Sequence, residues 1–292
     1  MSPLTYAIVT PARDEELNLA RLAAALVAQT QRPVQWIVVD DGSTDGTPAL
    51  VRDLAAAHSW ITLHTEAQRE DGGIEDGRRH GRDLDAFRRG VKMLAAPVDV
   101  VVKVDADIDV DPDYFEQLIG RFAADPLLGI ASGTCYELED DAWVRRTKAE
   151  STVWGASRAY RWACVPDLMA LAPSMGWDGL DELKVQMRGM TTQSFTDLPF
   201  RHHRPEGGRE LSRLHQGAAL GRASWYMGYR PSYLVLRAVY RAREEPAALA
   251  MMWGYASSAL RRSPRCPDVQ LVHELRSRQR LAPALRRGAP SS

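Results

Sequence analysis

The sequence predicts an α/β fold in which a mostly parallel, twisted sheet is flanked by helices and followed by a helical C-terminal extension. Three observations predict it. Apolar, strand-like segments alternate with amphipathic helical segments from residue 5 onward. Several of the strand-like segments run directly into carboxylates, whereas residues after about 211 have a helical pattern throughout. A βαβαβ order favours parallel strands joined by crossover helices.

The first half of the chain supplies four strands and the helices between them. The strands are predicted at 5–10, 35–40, 60–65 and 97–107. Apolar residues at helical spacing cover Glu15 to Gln29, and a second helix is predicted to have Thr47 as its N-cap and Pro48 at its first position. Because the carboxyl ends of parallel strands share one edge, we expect the residues after them to border one crevice.

The later elements are less regular. The Gly-rich, charged segment "REDGGIEDGRRHGRD", between the third and fourth strands, predicts a mobile loop of the kind that closes over a ligand. A helix at 114–123 and a strand at 128–134 follow. Helical segments are then predicted to carry Trp143, Trp154 and Trp162. We find no internal repeat.

Composition excludes several classes of protein. The three cysteines are widely separated and form no C-x-x-C pattern, so the spacing supports neither a disulfide framework nor a structural zinc site and favours a reducing compartment. The N-terminus has no secretory signal pattern. The longest uncharged C-terminal window, 246–260, is short for a membrane span of roughly 20 residues. We therefore expect a cytoplasmic protein.

The near-neutral chain conceals a charge asymmetry. Residues 1–200 carry 20 Lys and Arg against 32 Asp and Glu, whereas residues 201–292 carry 17 Arg, no Lys and 6 acids. Such a basic segment can bind an anionic membrane surface, an acidic partner or the acidic body of the same chain. The apolar stretches "YLVLRAVY" and "AALAMMWGY" favour peripheral contact with the inner face of the cell membrane, although they also fit a homodimer interface or packing on the first domain. No nucleic-acid motif accompanies the charge, so we expect no nucleic-acid partner.

Carboxylates cluster where predicted strands end, at Asp14-Glu15-Glu16, Asp40-Asp41 and Asp105-x-Asp107. Clustered acids repel unless a cation or several donors neutralise them, and all-oxygen ligation suits Mg²⁺ or Mn²⁺. A polyphosphate ligand would then bind through the metal. The alternative, that the acids are loop solubilisers and helix caps, is strong for residues 14–16 and Asp45 and weak for the pair that follows the fourth strand.

A calcium-binding EF-hand is excluded by two features of "VDADIDVD". The loop needs a Gly where this chain has Val110, and a strand rather than a helix precedes it.

Three stretches together, "IVTPARDEELNL", "WIVVDDGSTDGT" and "VVKVDADIDVDPDYFEQL", resemble glycosyltransferase family 2, the inverting nucleotide-sugar transferases with the GT-A fold. The resemblance covers about residues 5–205. It implies a donor site formed by Pro11, Ala12, Arg13, Glu15, Asp40, Asp41, Arg82 and Asp105. It also implies that Asp107 and Asp105 bind a divalent metal, Mn²⁺ or Mg²⁺, and that one of His202 and His203 completes its coordination. Neighbours in an extended chain point to opposite faces, so only one histidine could reach the crevice. The alternative, which fits equally well, is a loop histidine before a helix or one paired with a nearby acid.

The segment "GWDGLDELKVQMRGM" resembles the acceptor-side motif of the family, with its final acidic pair reversed. On a helix Asp178, Asp181 and Glu182 would share one face, and three like charges together raise at least one pKa, which suits a general base. The alternative is that these acids complement the helix dipole. We favour Asp181 as the base. The resemblance also implies acceptor contacts from Trp154, Gly155, Trp177 and Asp178, although the aromatic rings fit a core role equally well.

The sequence therefore predicts a metal-dependent, inverting glycosyltransferase that moves a sugar from a UDP- or GDP-sugar to an acceptor hydroxyl or lipid phosphate, in cell-surface glycan or glycolipid synthesis. The predicted domains are a catalytic domain over 1–207, divided near residue 113, and an Arg-rich helical extension over 208–292. Two rivals are a nucleotidyltransferase on a related fold and a non-catalytic protein that binds a sugar or a nucleotide.

Overall fold

The computed structural model describes residues 3–66, 81–139, 141–147, 149–203 and 213–280. Residues 69–80 of the loop predicted to be mobile, 69–83, lie outside the described residues, as does the predicted domain boundary at 207. The strands are β1 (Tyr6–Ala12), β2 (Gln35–Asp40), β3 (Ile61–Thr65), β4 (Val100–Val104), β5 (Ile108–Val110), β6 (Leu128–Glu139), β7 (Ala142–Arg145), β8 (Ser157–Arg161) and β9 (Thr191–His202). The α-helices are α1 (Glu16–Val27), α2 (Thr47–Ala57), α3 (Arg82–Lys92), α4 (Tyr114–Ala124), α5 (Val165–Met169), α6 (Trp177–Met187), α7 (Arg213–Tyr226), α8 (Pro231–Arg241), α9 (Ala250–Leu260) and α10 (Val269–Arg278).

The strands form one sheet in the order β3-β2-β1-β4-β8-β6-β9-β5, with β7 paired to β6. The first four strands of this order are parallel, as the βαβ pattern predicts. Beyond β4 the sheet is mixed, because β8 is antiparallel to both neighbours and β5 is antiparallel to β9. An α/β fold with a mixed sheet, flanking helices and a helical C-terminal part confirms the predicted class.

The described residues fall into two compact units. The first contains the sheet, within 3–66, 82–171 and 184–203. The second contains residue 81, residues 172–183 and residues 213–280, and so includes α7 to α10. In the second unit the helical pattern predicted after residue 211 is confirmed for the described part.

Apolar burial holds β4 in the centre of the sheet. All five of its residues are buried, and four of them are Val, each worth about 1.5–3 kcal/mol when fully removed from water. Strands buried on both faces have such unbroken β-branched runs. Fixing this strand also fixes the position of the carboxylates that follow it.

A buried tyrosine connects α4 to the sheet. The hydroxyl of Tyr114 accepts a hydrogen bond from the amide of Gly133 at 3.0 Å and lies 2.8 Å from Oγ of Ser157. Burial raises the pKa of Tyr114 to about 12. A Cβ at Gly133 would lie 2.1 Å from the carbonyl oxygen of Leu198, so this contact requires glycine.

Three local predictions are wrong, those for Trp143, for Trp154 and for the N-cap of α2. Trp143 lies on β7, where Glu139 pairs with Ala142 across a hairpin, and Trp154 lies between elements rather than on a helix. Cross-strand pairing overrides the weak helical pattern there. Trp162 opens a short 3₁₀ turn, 162–164. The α2 helix begins at Thr47 itself, with Gly46 as its N-cap.

Candidate active site

The carboxyl ends of β1, β2 and β4 meet at one edge of the sheet. Ala12 is opposite Asp40 in the β1–β2 register, and the amide of Asp41 donates to the carbonyl of Ala12 at 2.9 Å. The β1–β4 register brings Lys103 opposite Val9, so the Asp105-x-Asp107 stretch leaves the sheet at the same edge. Three of the acidic groups singled out in the sequence therefore border one edge.

The loops after β1 and β2 are braced against each other by Asp14. Its backbone has a positive φ of 53°, a conformation that Asp tolerates better than most residues. Its Oδ1 accepts from the amide of Thr44 at 2.6 Å, and its own amide donates to Oγ of Ser43 at 2.9 Å. The carboxylate of Asp14 thus has a structural role.

Asp45 and Thr47 extend this brace to α2. Oδ1 of Asp45 accepts from the amide of Thr47 at 2.9 Å, and Oδ2 accepts from the amide of Glu16 at 3.1 Å. Desolvation raises the pKa of Asp45, but hydrogen bonds from Thr47 and Glu16 outweigh it and hold this pKa below its usual value. Thr47, expected to be the N-cap, instead accepts the amide proton of Glu15 at 2.9 Å. Asp45, the residue before the N-cap Gly46, thus accepts from the first amide of α2 and from the first amide of α1.

Asp40 and Asp41 have different environments. Asp40 is fully buried, and its Oδ1 accepts from the amide of Ser43 at 3.0 Å. Its Oδ2 is buried and accepts no hydrogen bond within the part of the chain that the structure describes. Asp41 lies nearer the surface, with Oδ1 3.6 Å from Nη2 of Arg89, which also pairs with Glu66 at 3.0 Å.

The remaining donor-site candidates lie around these strand ends. Pro11 and Ala12 are the last two residues of β1, and Arg82 is the first residue of α3. Nε of Arg13 lies 4.0 Å from Asp14. The carboxylate of Glu15 is buried and accepts from Nδ2 of Asn18 at 2.8 Å.

Asp105 and Asp107 occupy the tight turn between β4 and β5. A buried cation supports it: Lys103, only 2% exposed, donates through Nζ to Asp105 and, at 3.3 Å, to the carbonyl of Gly155. The same Nζ lies 4.0 Å from the carboxylate of Asp83. Lys103 fixes the orientation of Asp105, because its buried ammonium group donates directly to that carboxylate.

The two histidines at the end of β9 contact different acids. In the β5–β9 pairing Ile108 is opposite His202. Nε2 of His202 lies 3.2 Å from Oδ1 of Asp107, and both side chains are buried. Nε2 of His203 instead lies 2.6 Å from Oδ2 of Asp109. Alternation along the strand thus separates the neighbours, and His202 is the one that reaches Asp107.

Behind His202 lies a further acid. Nδ1 of His202 is 3.7 Å from Oε1 of Glu137, which is opposite it in the β6–β9 register. Oε2 of Glu137 accepts from Nε of Arg146 at 2.6 Å. Carboxylates therefore face both nitrogens of a buried imidazole.

Asp178, Asp181 and Glu182 lie on α6, as the sequence predicts, and residues 172–183 belong to the second unit. Their exposure differs: Asp178 is exposed, Glu182 is half-buried and Asp181 is only 1% exposed. Oδ1 of Asp181 accepts from the amide of Glu182 at 2.6 Å. Trp177, at the start of the helix, is buried.

The aromatic candidate for acceptor contact is part of the core. Trp154 is only 4% exposed and packs edge-on against Phe200 with ring centroids 6.5 Å apart. This burial favours the core role that the sequence left open. Gly155 is half-exposed, and a Cβ there would meet no described atom within 4 Å.

The decisive comparison is with protein-family models. The model described as "Glycosyl transferase family 2" matches residues 7–169, more than half of the chain. The chain belongs to glycosyltransferase family 2. The predicted resemblance is confirmed.

Curated relatives match over part of their length. An undecaprenyl-phosphate 4-deoxy-4-formamido-L-arabinose transferase from Aeromonas hydrophila is 28% identical over 146 residues, which cover 49% of this chain and 40% of the relative. A 4,4'-diaponeurosporenoate glycosyltransferase from Staphylococcus haemolyticus is 26% identical over 129 residues, 44% of this chain and 31% of the relative. The chain thus matches less than half the length of each.

Solved structures share the fold at low sequence identity. The mannosyltransferase PcManGT from Pyrobaculum calidifontis, in complex with GDP-Man and Mn²⁺, gives a TM-score of 0.58 at 18% identity, over 99% of this chain and 82% of that one. GalNAc-T7 with UDP, GalNAc and Mn²⁺ gives 0.56 at 14% identity, over 75% and 48%. Residues 1–349 of S. aureus TarS in complex with UDP give 0.53 at 13% identity, over 75% and 64%. The fold of this family 2 chain is therefore GT-A.

The family resemblance implies no role for three residues at the site, namely Lys103, Glu137 and Arg146. Lys103 was visible as a charge inside a strand-like valine run, an unusual residue for a buried strand. Glu137 and Arg146 had no such signal, because only the pairing of β6 with β7 and β9 brings them to His202.

We predict that Asp45→Ala lowers the free energy of unfolding by about 0.5–2 kcal/mol, because it removes the acceptor for the first amide of α2 and for the first amide of α1. The pKa of Asp45 is lowered in the folded chain, so its stabilisation is present above the unfolded pKa of about 3.9 and is lost as pH falls through the folded value. Urea unfolding at pH 7 and at pH 3 measures both effects.

Asp53→Ala is the control for Asp45→Ala, since it removes an exposed acid from the same helix. Equal destabilisation by both substitutions, or a loss at Asp45 that is as large at pH 3 as at pH 7, would contradict this role.

Proposed function

We propose that the chain transfers a sugar from a nucleotide-sugar donor to an acceptor hydroxyl or lipid phosphate with inversion of configuration, in cell-surface glycan or glycolipid synthesis. The observation that carries the proposal is the Asp105-x-Asp107 turn, at the sheet edge where β1 and β2 also end in acids. Because the chain belongs to glycosyltransferase family 2, we interpret this turn as the metal-binding motif of the family. The named relatives are themselves sugar transferases, and one of them acts on undecaprenyl phosphate.

Asp107 and Asp105 are the proposed metal ligands, with His202 rather than His203 as the histidine beside them. The donor set fits a divalent cation: carboxylate oxygens suit Mg²⁺ or Mn²⁺, and His202 is already within 3.2 Å of Asp107. When bound, the cation would neutralise the charge that develops on the leaving nucleoside diphosphate. Lys103 holds Asp105 in place for this role.

The nucleoside is proposed to bind where β1 and β2 end. Pro11 to Glu15 supply the strand-end backbone, and Asp40 and Asp41 supply carboxylates of different exposure. The buried Oδ2 of Asp40, which lacks a hydrogen-bond donor among the described residues, supports a polar function at this position. Arg82, opening α3, is the proposed basic contact to the donor.

Asp181 is proposed as the general base that takes the proton from the attacking acceptor hydroxyl. Asp181 and Glu182 belong to the second unit. Their role in the transfer reaction is therefore inferred from the family resemblance alone. The amide of Glu182 donates to Asp181 and orients its carboxylate. Gly155, Trp177 and Asp178 remain proposed acceptor contacts.

Donor binding tests the proposal directly. Calorimetric titration with UDP and GDP, with and without Mn²⁺, should show binding of one nucleotide that requires the metal. Asp107→Ala should abolish the metal-dependent part. Asp111→Ala is the matched control. It removes a carboxylate of the same acidic run, and that carboxylate pairs with Arg201. Failure of the native chain to bind either nucleotide would overturn the donor assignment, and metal-dependent binding without donor turnover would favour the non-catalytic rival.

The general base can be separated from donor binding. Asp181→Asn should slow hydrolysis of the bound nucleotide sugar by about 10²–10⁴-fold while leaving donor affinity unchanged, since a base acts only on the attacking group. Glu182→Gln should have a smaller effect. A larger loss in Glu182→Gln would transfer the role of base to that residue. Unchanged donor affinity in both variants shows that they fold.

We also propose that the second unit binds an anionic membrane. Within residues 213–280, α8 exposes Val235, Leu236, Val239 and Tyr240, which are 45–69% exposed and recur at helical spacing. Arg237 and Arg241 lie on the same helix. Apolar contact combined with arginines is the pattern of peripheral membrane binding. The described helices all lack the length or apolarity to cross a bilayer.

We predict that vesicles containing phosphatidylglycerol retain the chain at low salt and release it at high salt, because the arginine contribution is screened. Val239→Asp should weaken retention, whereas Val269→Asp, at an exposed apolar residue on α10, should not. Vesicle flotation measures both. Absence of native retention at low salt would exclude this membrane proposal.

A further inference from the structure

A buried cluster of three ligand-type side chains lies beside the Asp105-x-Asp107 turn. Cys135, Glu137 and His202 each offer one ligand atom, and these atoms all lie within 4.8 Å of one another. All three residues are buried. Glu137 and His202 are of polar types that are seldom fully buried.

The sheet register explains why these side chains meet. Cys135 and Glu137 are two residues apart on β6, so they point to the same face of the sheet. His202 is opposite Glu137 on the parallel neighbour β9. The cluster therefore depends on two strands 65 residues apart in sequence, and this explains why Cys spacing alone gives no zinc signal.

We propose that Cys135, Glu137 and His202 bind a thiophilic divalent cation such as Zn²⁺. A cysteine thiolate, an imidazole and a carboxylate are ligand types that Zn²⁺ takes in tetrahedral sites. With metal–ligand bonds of about 2.0–2.3 Å, the ligand atoms of such a site lie about 3.3–3.7 Å apart. Nδ1 of His202 and Oε1 of Glu137 are 3.7 Å apart, longer than a hydrogen bond and close to that separation.

The groups around the cluster match the usual support of a zinc ligand. A ligating histidine commonly donates its other ring N–H to a carboxylate, and Nε2 of His202 lies 3.2 Å from Asp107. Ligating carboxylates are in turn hydrogen-bonded, and Oε2 of Glu137 accepts from Arg146. With Asp107 beside Nε2 and Arg146 beside Oε2, Nδ1 of His202 and Oε1 of Glu137 face each other.

Charge also favours a cation in this position. Glu137 and Asp107 bring two carboxylates to the imidazole, while Arg146 is shared between Glu137 and Glu139. A metal-bound Cys135 would add a thiolate. A divalent ion would offset this negative charge where water is excluded.

The site is distinct from the proposed donor-metal site in its ligands and its metal preference. The donor site uses Asp105 and Asp107, which are hard oxygen ligands, whereas the buried site contains a sulfur ligand. His202 borders both sites, with Nδ1 toward the buried site and Nε2 toward Asp107. Thiolate spectroscopy therefore detects the buried site independently of nucleotide binding.

Cobalt reports on the site, because a thiolate bound to Co²⁺ gives a charge-transfer absorption that oxygen ligands do not. The untagged full chain, freed of metal under reducing conditions, is titrated with Co²⁺. We expect this absorption to saturate at about one ion per chain and to disappear when Zn²⁺ is added, because Zn²⁺ binds more tightly. Zinc content is also measured on the chain purified from zinc-supplemented medium, since a buried site can exchange slowly.

Cys135→Ala should abolish the cobalt absorption and the bound zinc, whereas Cys164→Ala, at another buried cysteine, should leave both unchanged. Glu137→Gln should lower the affinity for Co²⁺ by at least about tenfold, and Glu139→Gln should have little effect. Circular dichroism of each variant checks that it is folded. Absence of both cobalt absorption and zinc in the folded native chain, or their persistence in Cys135→Ala, would overturn the proposal.

Discussion

Repulsion among carboxylates is the constraint on which this structure depends. Two unit charges 4 Å apart interact by about 4 kcal/mol at an effective dielectric constant of 20. The chain nevertheless brings acids from the ends of β1, β2 and β4 to one sheet edge. Buried or half-buried cations pair with two of them, Lys103 with Asp105 and Arg89 with Asp41, and Arg201 pairs with Asp109 on the neighbouring β5. The fold thus offsets the repulsion by pairing individual acids with individual cations.

Asp107 contacts an imidazole. Its Oδ1 lies 3.2 Å from Nε2 of His202. That contact exists because the sheet changes direction after β4, so that β5 pairs antiparallel with β9 and Ile108 is opposite His202. A purely parallel sheet would have left the end of β9 elsewhere. The mixed half of the sheet is therefore what gives Asp107 a nitrogen neighbour.

The sequence predicts elements that depend on a short segment, and it does not predict contacts that depend on the pairing of distant strands. The run from Val100 to Asp107 needs only its own residues to indicate a buried strand that ends in acids, and β4 with its turn follows that prediction. The link from Glu137 to His202 needs the β6–β9 register, which no short pattern contains. The same limit explains Trp143, where hairpin pairing decides the conformation.

The two proposed metal sites place incompatible demands on one imidazole. A neutral histidine has one nitrogen that carries a proton and one that accepts or ligates. If Nδ1 binds a buried cation, the proton remains on Nε2 and faces Asp107, so His202 becomes a donor to that carboxylate rather than a ligand beside it. If Nε2 ligates the donor-site metal, Nδ1 carries the proton toward Glu137. On these proposals, occupancy of the buried site would set how many ligands the donor metal has, because His202 links the two sites within the sheet.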